Sequence, residues 1–320
     1  MVPSHLTAHL SAAADTEINT VLCKGAPGQS PPTGEVGFVA AFVLGAVHGI
    51  ASQWRSILRP HRLSVCMTGV FCHQSPKARF IDQSGTPKVC ELSDLLVVAE
   101  DLTGGGTGKR YAVLIQAKIA NRGGGATLSA TGDLTQLDLM TRWPSFSLPS
   151  PYAPGDRDFS TCSYPGTTIE CGRYGLIEPR PNVDWRQHAP DTKMAGGSVR
   201  LGSFLGNMIA TGQSGYGREA TGTGDDWSRT VDELIHVAGT RAFSYAAGFQ
   251  GQRQRGSYAI ALASSSDLSF WASPWLSHAA AGRIPTGGRP DDPEQLEREP
   301  GAQGISVLHI GVTEIGEDEA

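Results

Sequence analysis

The sequence predicts an α/β protein: a mixed sheet flanked by helices, followed by a mainly helical C-terminal extension. Three observations carry that prediction. Apolar residues recur at helical spacing from Glu35 to Leu58, with EVGFVAAFVLGAVHGIAS (Glu35 to Ser52) as the most apolar window, ahead of the first strand candidates. Two apolar strands, ELSDLLVVAE from Glu91 and YAVLIQAKIA from Tyr111, flank DLTGGGTGKR, whose glycines suit a hairpin connection. A second helical stretch, TGDLTQLDLMTRW, follows a glycine-rich hinge at Arg122 to Gly125.

In chain order, residues 1–33 end in GAPGQSPPTG, Pro and Gly punctuation that predicts a flexible N-terminal segment and a folded body from about Gly34. The Glu35–Ser52 stretch falls short of the about 20 apolar residues a bilayer needs and predicts a buried helix instead. The N-terminus has no basic region ahead of an apolar one and carries Asp-Thr-Glu at 15–17, so no secretion signal is expected, and the cytoplasm is the expected location without a membrane. Strands are predicted near Leu63–Thr68 and Ala78–Asp82, then the hairpin. The helix after the hinge should start near Thr131, put Leu134, Leu137 and Met140 or Trp143 on its inner face, and end at Trp143-Pro144. Residues 144–171 read as a long surface loop. Beyond them CGRYGLIEP, SYAIALA and ISVLHIGV suggest strands, LGSFLGNMIATG and WSRTVDELIHVAGTRAF helices, and the Pro-, Gly- and acid-rich run from Gly282 to Gly301 a mobile stretch.

Composition excludes little. A formal charge of −5 argues against a protein held on nucleic acid by general charge, while leaving room for a local basic groove. Six cysteines include no Cys-x-x-Cys pair, and buried reduced thiols are the expectation. Cys66, Cys72, His73, Cys162 and Cys171 are the residues from which a zinc site would have to come, at spacings that match no common finger. GGGTGKR has the look of a phosphate-binding loop, but Thr103 stands in place of its first Gly, Arg110 in place of Ser or Thr, and a strand follows instead of a helix.

The chemistry lies in the hairpin. Gln116 and Lys118 share one face of a strand that is otherwise apolar, where an unpaired amide or ammonium is expensive. Folding the hairpin about Gly105 sets Asp94 opposite Gln116, because each is eleven residues from that centre. A carboxylate, an amide oxygen and a backbone carbonyl can together hold a hard divalent cation such as Mg2+. A lysine beside it can position a water and stabilise charge on a phosphate.

These residues resemble the PD-(D/E)XK nuclease superfamily, the restriction-endonuclease-like fold. Asp94 matches its strand acid, Gln116-Ala117-Lys118 its Gln-x-Lys variant, and Glu35 its helical acid. No Pro precedes Asp94, and Gln replaces a charged ligand. The resemblance covers residues 34–180 and leaves 181–320 as the extension. It implies Mg2+, replaceable by Mn2+, held by Asp94, Gln116, the Ala117 carbonyl and Glu35, with Lys118 serving the attacking water in hydrolysis of DNA phosphodiesters. It also implies an effector of bacterial anti-phage defence or restriction, controlled by homo-oligomerisation or a regulatory partner. RNA is a further substrate consistent with the pattern.

Lys77, Lys109, Arg110 and Arg122, with Arg55, Arg59 and Arg62, are the candidates for phosphate contacts. Trp143, Phe146, Trp185 and Trp227 read as packing residues. Two rivals are a non-catalytic scaffold of the same fold that binds nucleic acid or a partner, and an assembly protein that pairs copies through Val36–Ala51.

Overall fold

A computed structural model describes residues 2–25, 30–72, 76–105, 108–121, 125–161, 168–178, 181, 183–194, 198–210, 215–221, 224–240, 260–264 and 304–315. The main elements are α1 (Thr7–Lys24), α2 (Gly34–Ala41), α3 (Val47–Leu58), β1 (Leu63–Cys72), β2 (Lys77–Ile81), β3 (Pro87–Glu91), β4 (Leu95–Asp101), β5 (Arg110–Ile119), α4 (Thr131–Arg142), β6 (Gly172–Ile177), β7 (Trp185–His188), α5 (Leu201–Met208), α6 (Asp226–Thr240), β8 (Ile260–Ser264) and β9 (Ser306–Glu314). The protein is α/β, with a curled mixed sheet flanked by helices.

The sheet runs β7-β6-β5-β4-β9-β1-β8, with the two-residue strand Val199–Arg200 beyond β7 and Arg218–Glu219 paired to the start of β5. β4 and β5 are antiparallel, from Leu95↔Ile115 to Glu100↔Arg110, which centres the hairpin on Gly105 as its sequence implied. β5 and β6 are parallel, joined by the crossover that contains α4. β9 lies parallel to β4 and antiparallel to β1.

Strand alternation sorts the core into two faces. Leu95, Val97, Ala99, Val113, Ile115 and Ala117 point to the layer of α1, α2, α3 and α5. Leu96, Val98, Ala112 and Leu114 point to α4 and α6, so Asp94, Gln116 and Lys118 share the parity of the α4 face.

Four expectations are corrected. Residues 1–33 are not a flexible segment throughout: α1 buries Leu10, Ala14, Ile18 and Leu22, a helical stripe partly disguised by intervening alanines and polar residues. The Trp54 indole donates to the Leu10 carbonyl at 2.8 Å and fastens α1 to α3. The apolar helix keeps the helical spacing expected from Glu35 to Leu58, but it does not fall short of a membrane span: a π-helical turn at Phe42–Ala46 carries α2 into α3, and the run extends over Gly34–His61, 28 residues. Its length and composition would suffice to cross a membrane, but 56% of its apolar window is buried inside this fold.

Residues 144–171 are not simply a surface loop. Phe146, Leu148, Tyr152 and Phe159 are buried, and short strands at Phe146–Ser147 and Asp156–Arg157 extend a small sheet with β2 and β3. Phe159 meets Phe146 and Trp227 edge-on at centroid distances of 5.1 and 5.0 Å, which explains why aromatic residues punctuate a Pro-rich run. Finally, residues beyond 180 are no separate helical extension. Among those described, α5 and α6 cover the sheet while β7 and β9 belong to it, β9 in its interior. Gly282–Gly301 lies outside the described residues.

Candidate active site at the open end of the hairpin

Asp94 precedes β4 at the end of the hairpin away from its glycine turn. Its backbone N–H donates to the Ile115 carbonyl at 3.2 Å, which continues the ladder and sets its side chain beside Gln116. Asp94 Oδ2 accepts the Ala117 backbone N–H at 2.7 Å and the Gln116 amide N–H. The polar pair on β5 is therefore bound to the acid on the neighbouring strand.

Gln136 on α4 completes the chain. Its amide donates both to the Gln116 Oε1 and, at 3.1 Å, to the Glu91 carbonyl. Because a backbone carbonyl only accepts, that second bond fixes which end of Gln136 faces Gln116, and hence that Gln116 turns its N–H2 to Asp94. Burial of Gln116 and Gln136, at 2% and 6% exposure, makes this satisfaction necessary.

Lys118 lies two residues along β5. Its ammonium is 3.0 Å from Asp133 Oδ1, in the first turn of α4, and 3.8 Å from Glu35 Oε2, in the first turn of α2. The other Glu35 oxygen accepts the Ile119 backbone N–H at 3.3 Å. Glu35 thus serves the strand end as well as sitting at a favourable helix terminus.

The site is electrostatically tense at Asp94. Burial pushes its carboxyl up to about 7; the Ala117 N–H opposes this, and the charges of Glu91 and Glu35 add to it. Lys118 shows the opposite balance. Burial works against its charge, yet Glu35 and Asp133 outweigh burial and raise its pKa, so it is an ammonium throughout the neutral range.

Of the predicted residues, Asp94, Gln116, Ala117, Lys118 and Glu35 come together. Asp133 and Gln136 belong beside them and were not anticipated. Both fall at i, i+3, i+4, i+7 with Leu137 and Met140, a polar interruption of the inner stripe that was the available signal, whereas Leu134, assigned to that stripe, is 42% exposed.

Among the described residues, the expected phosphate contacts do not all gather here. Lys77 lies near, on β2, paired with Glu91 at 2.9 Å. Lys109 stands at the opposite end of β5 from Lys118, roughly 30 Å away at strand spacing. Arg110 is corrected outright: it is 3% exposed, with Asp232 at 2.6 Å and the Ala220 carbonyl accepting its Nε–H at 2.6 Å, so a nucleic acid cannot reach it. Arg122, His73 and Cys162 lie outside the described residues.

Among the described residues no group of three or more His, Cys, Asp or Glu side chains forms a metal site, and nothing joins Cys66, Cys72 and Cys171 into one. The Cys90 thiol, pushed up to about 12 by burial, behaves as a packing residue. The oxygen set at the hairpin end is of another kind. One carboxylate with a destabilised charge and a neighbouring backbone carbonyl have the chemistry of a hard-cation site, and Gln116 Oε1 could join them only after its amide turns away from Gln136. Comparison with known proteins finds no family model, no curated protein and no solved structure that matches this chain.

Proposed function

We propose that the protein is a divalent-cation-dependent nuclease of the PD-(D/E)XK type, with a restriction-endonuclease-like core, that hydrolyses phosphodiesters in DNA. The observation that carries this reading is the convergence of Asp94, Gln116 and Lys118 at one end of the β4–β5 hairpin, with Glu35 reaching the same lysine from α2. The order of elements, helix, Asp-bearing strand, Gln-x-Lys strand, crossover helix and parallel strand, supports it. Asp94 and the Ala117 carbonyl would hold Mg2+ or Mn2+, with Gln116 joining after its amide turns over and Glu35 as the accessory acid. When bound, the cation supplies Lewis-acid stabilisation of phosphate charge and acidifies a water.

The residues of the chain account for the rest. Lys118, held as an ammonium, donates to the attacking water or to a phosphate oxygen and stabilises the charge that develops there. Glu35, half-exposed beside it, would take a proton from that water. We assign the protein to the cytoplasm as a defence or restriction effector that assembles with copies of itself or a regulatory partner; RNA is the alternative substrate.

A second reading, a non-catalytic scaffold of the same fold, draws on a specific observation too: Gln116 and Lys118 are already satisfied by Gln136, Asp133 and Glu35. Cleavage of supercoiled plasmid and linear DNA with Mg2+ or Mn2+ separates the two. The nuclease cuts, and Asp94→Ala and Lys118→Ala variants of matched folding do not. Cutting that survives both substitutions refutes the assignment of the site, and absence of both cutting and calorimetric Mn2+ binding selects the scaffold.

A further inference from the structure

Lys118 has two acidic neighbours where the proposed chemistry needs one. Glu35 is the more distant, at 3.8 Å, and is also occupied with the Ile119 N–H. Asp133 makes the closer contact, 3.0 Å, and comes from α4, the same helix whose Gln136 takes the Gln116 oxygen. Both side chains that the reaction would use are therefore held from one element, three residues apart. The carboxylate of Asp133 has the charge, the acceptor type and the distance of a non-bridging phosphate oxygen bound to an ammonium.

On the nuclease reading, we propose that Asp133 is an internal stand-in for the substrate phosphate. Its carboxylate fills the place beside the Lys118 ammonium that a DNA phosphate oxygen takes in the loaded site, and α4 thereby keeps the empty site self-paired. The pair is accessible to such exchange: the side chains of Asp133 and Lys118 are 30% and 17% exposed, so a phosphate approaching from solvent meets the contact without unfolding the helix. Loading means trading one anion for another at the Lys118 ammonium.

A double-mutant cycle on the full chain tests this. Affinity for a labelled DNA duplex is measured by fluorescence anisotropy at fixed salt without divalent cation, for wild type, Asp133→Asn, Lys118→Ala and the double variant. Removal of the competitor tightens binding about fivefold when Lys118 is present and not at all when it is absent. An equal gain in both backgrounds reveals general charge repulsion and overturns the proposal, as does no gain, which marks Asp133 as a structural ion-pair partner of Lys118 that ties α4 to β5. Should either result come from protein that still cuts DNA, the role of Asp133 falls alone; should no sample bind or cut DNA, the nuclease reading falls with it.

Discussion

Asp94→Asn should make the protein more stable, by a margin that opens above about pH 4 and is complete above about pH 7. In the fold the Asp94 carboxyl is raised from 3.8 to about 7, chiefly by burial. Between these values the folded state keeps a proton that the unfolded state has released, so stability falls as pH rises through the window and the full penalty applies above it. About three units at about 1.4 kcal/mol each set a ceiling of about 4 kcal/mol. Asp94 is half-buried, not sealed, so screening brings the expected effect to about 2 kcal/mol. Asparagine is nearly isosteric with the protonated acid and still accepts the Ala117 N–H. Urea unfolding in chelator should therefore show Asp94→Asn ahead of wild type at pH 8 and level with it at pH 4. Added Mn2+ should narrow the gap at pH 8 by stabilising wild type alone. A variant equal to wild type at pH 8, or a difference that does not change with pH, refutes the reasoning.

Two other substitutions probe the scaffold. Glu100 is buried and bonded to His309 on β9 at 3.0 Å; burial alone would raise its carboxyl, but that hydrogen bond, the His309 charge and Arg110 bring it below its usual 4.5. Its contribution is present above that value and lost as pH falls through the depressed one, so Glu100→Gln should cost about 2 kcal/mol at pH 7 and far less at pH 3, read by denaturant midpoints. Gly69→Ala would place a Cβ 2.2 Å from the Val43 carbonyl, where the π-helical turn leans on β1, and should cost about 2 kcal/mol; unchanged thermal unfolding would show that the turn yields freely.

The legible parts of this fold were those written in local patterns. The β4–β5 register followed from symmetry about Gly105, and one polar pair on an apolar strand pointed to Asp94 across it. What escaped depends on partners distant in sequence. In α4 the helical phase was set by Leu134, although an apolar side chain there is tolerated in solvent and the buried position belongs to Gln136, whose partners are on β3 and β5. The stripe of α1 was diluted by alanines, which pack closely without advertising a core. The run SVLHIGV was recognisable as a strand. Its apolar residues at both parities were the mark of a strand covered on two faces, but nothing local says which neighbours it will have.

The position of β9 also orders events in time. β1 and β4 are separated in the sheet by a strand that begins more than two hundred residues after β4 begins, so the strand that follows Asp94 lacks one neighbour until Ser306–Glu314 has been synthesised. Such long-range pairing makes for slow folding, and the centre of the sheet cannot close as the chain emerges. If the hairpin end cuts DNA, a nascent or truncated chain carries every proposed site residue without the sheet that aligns them. The activity would arrive with β9 rather than with the residues that perform it.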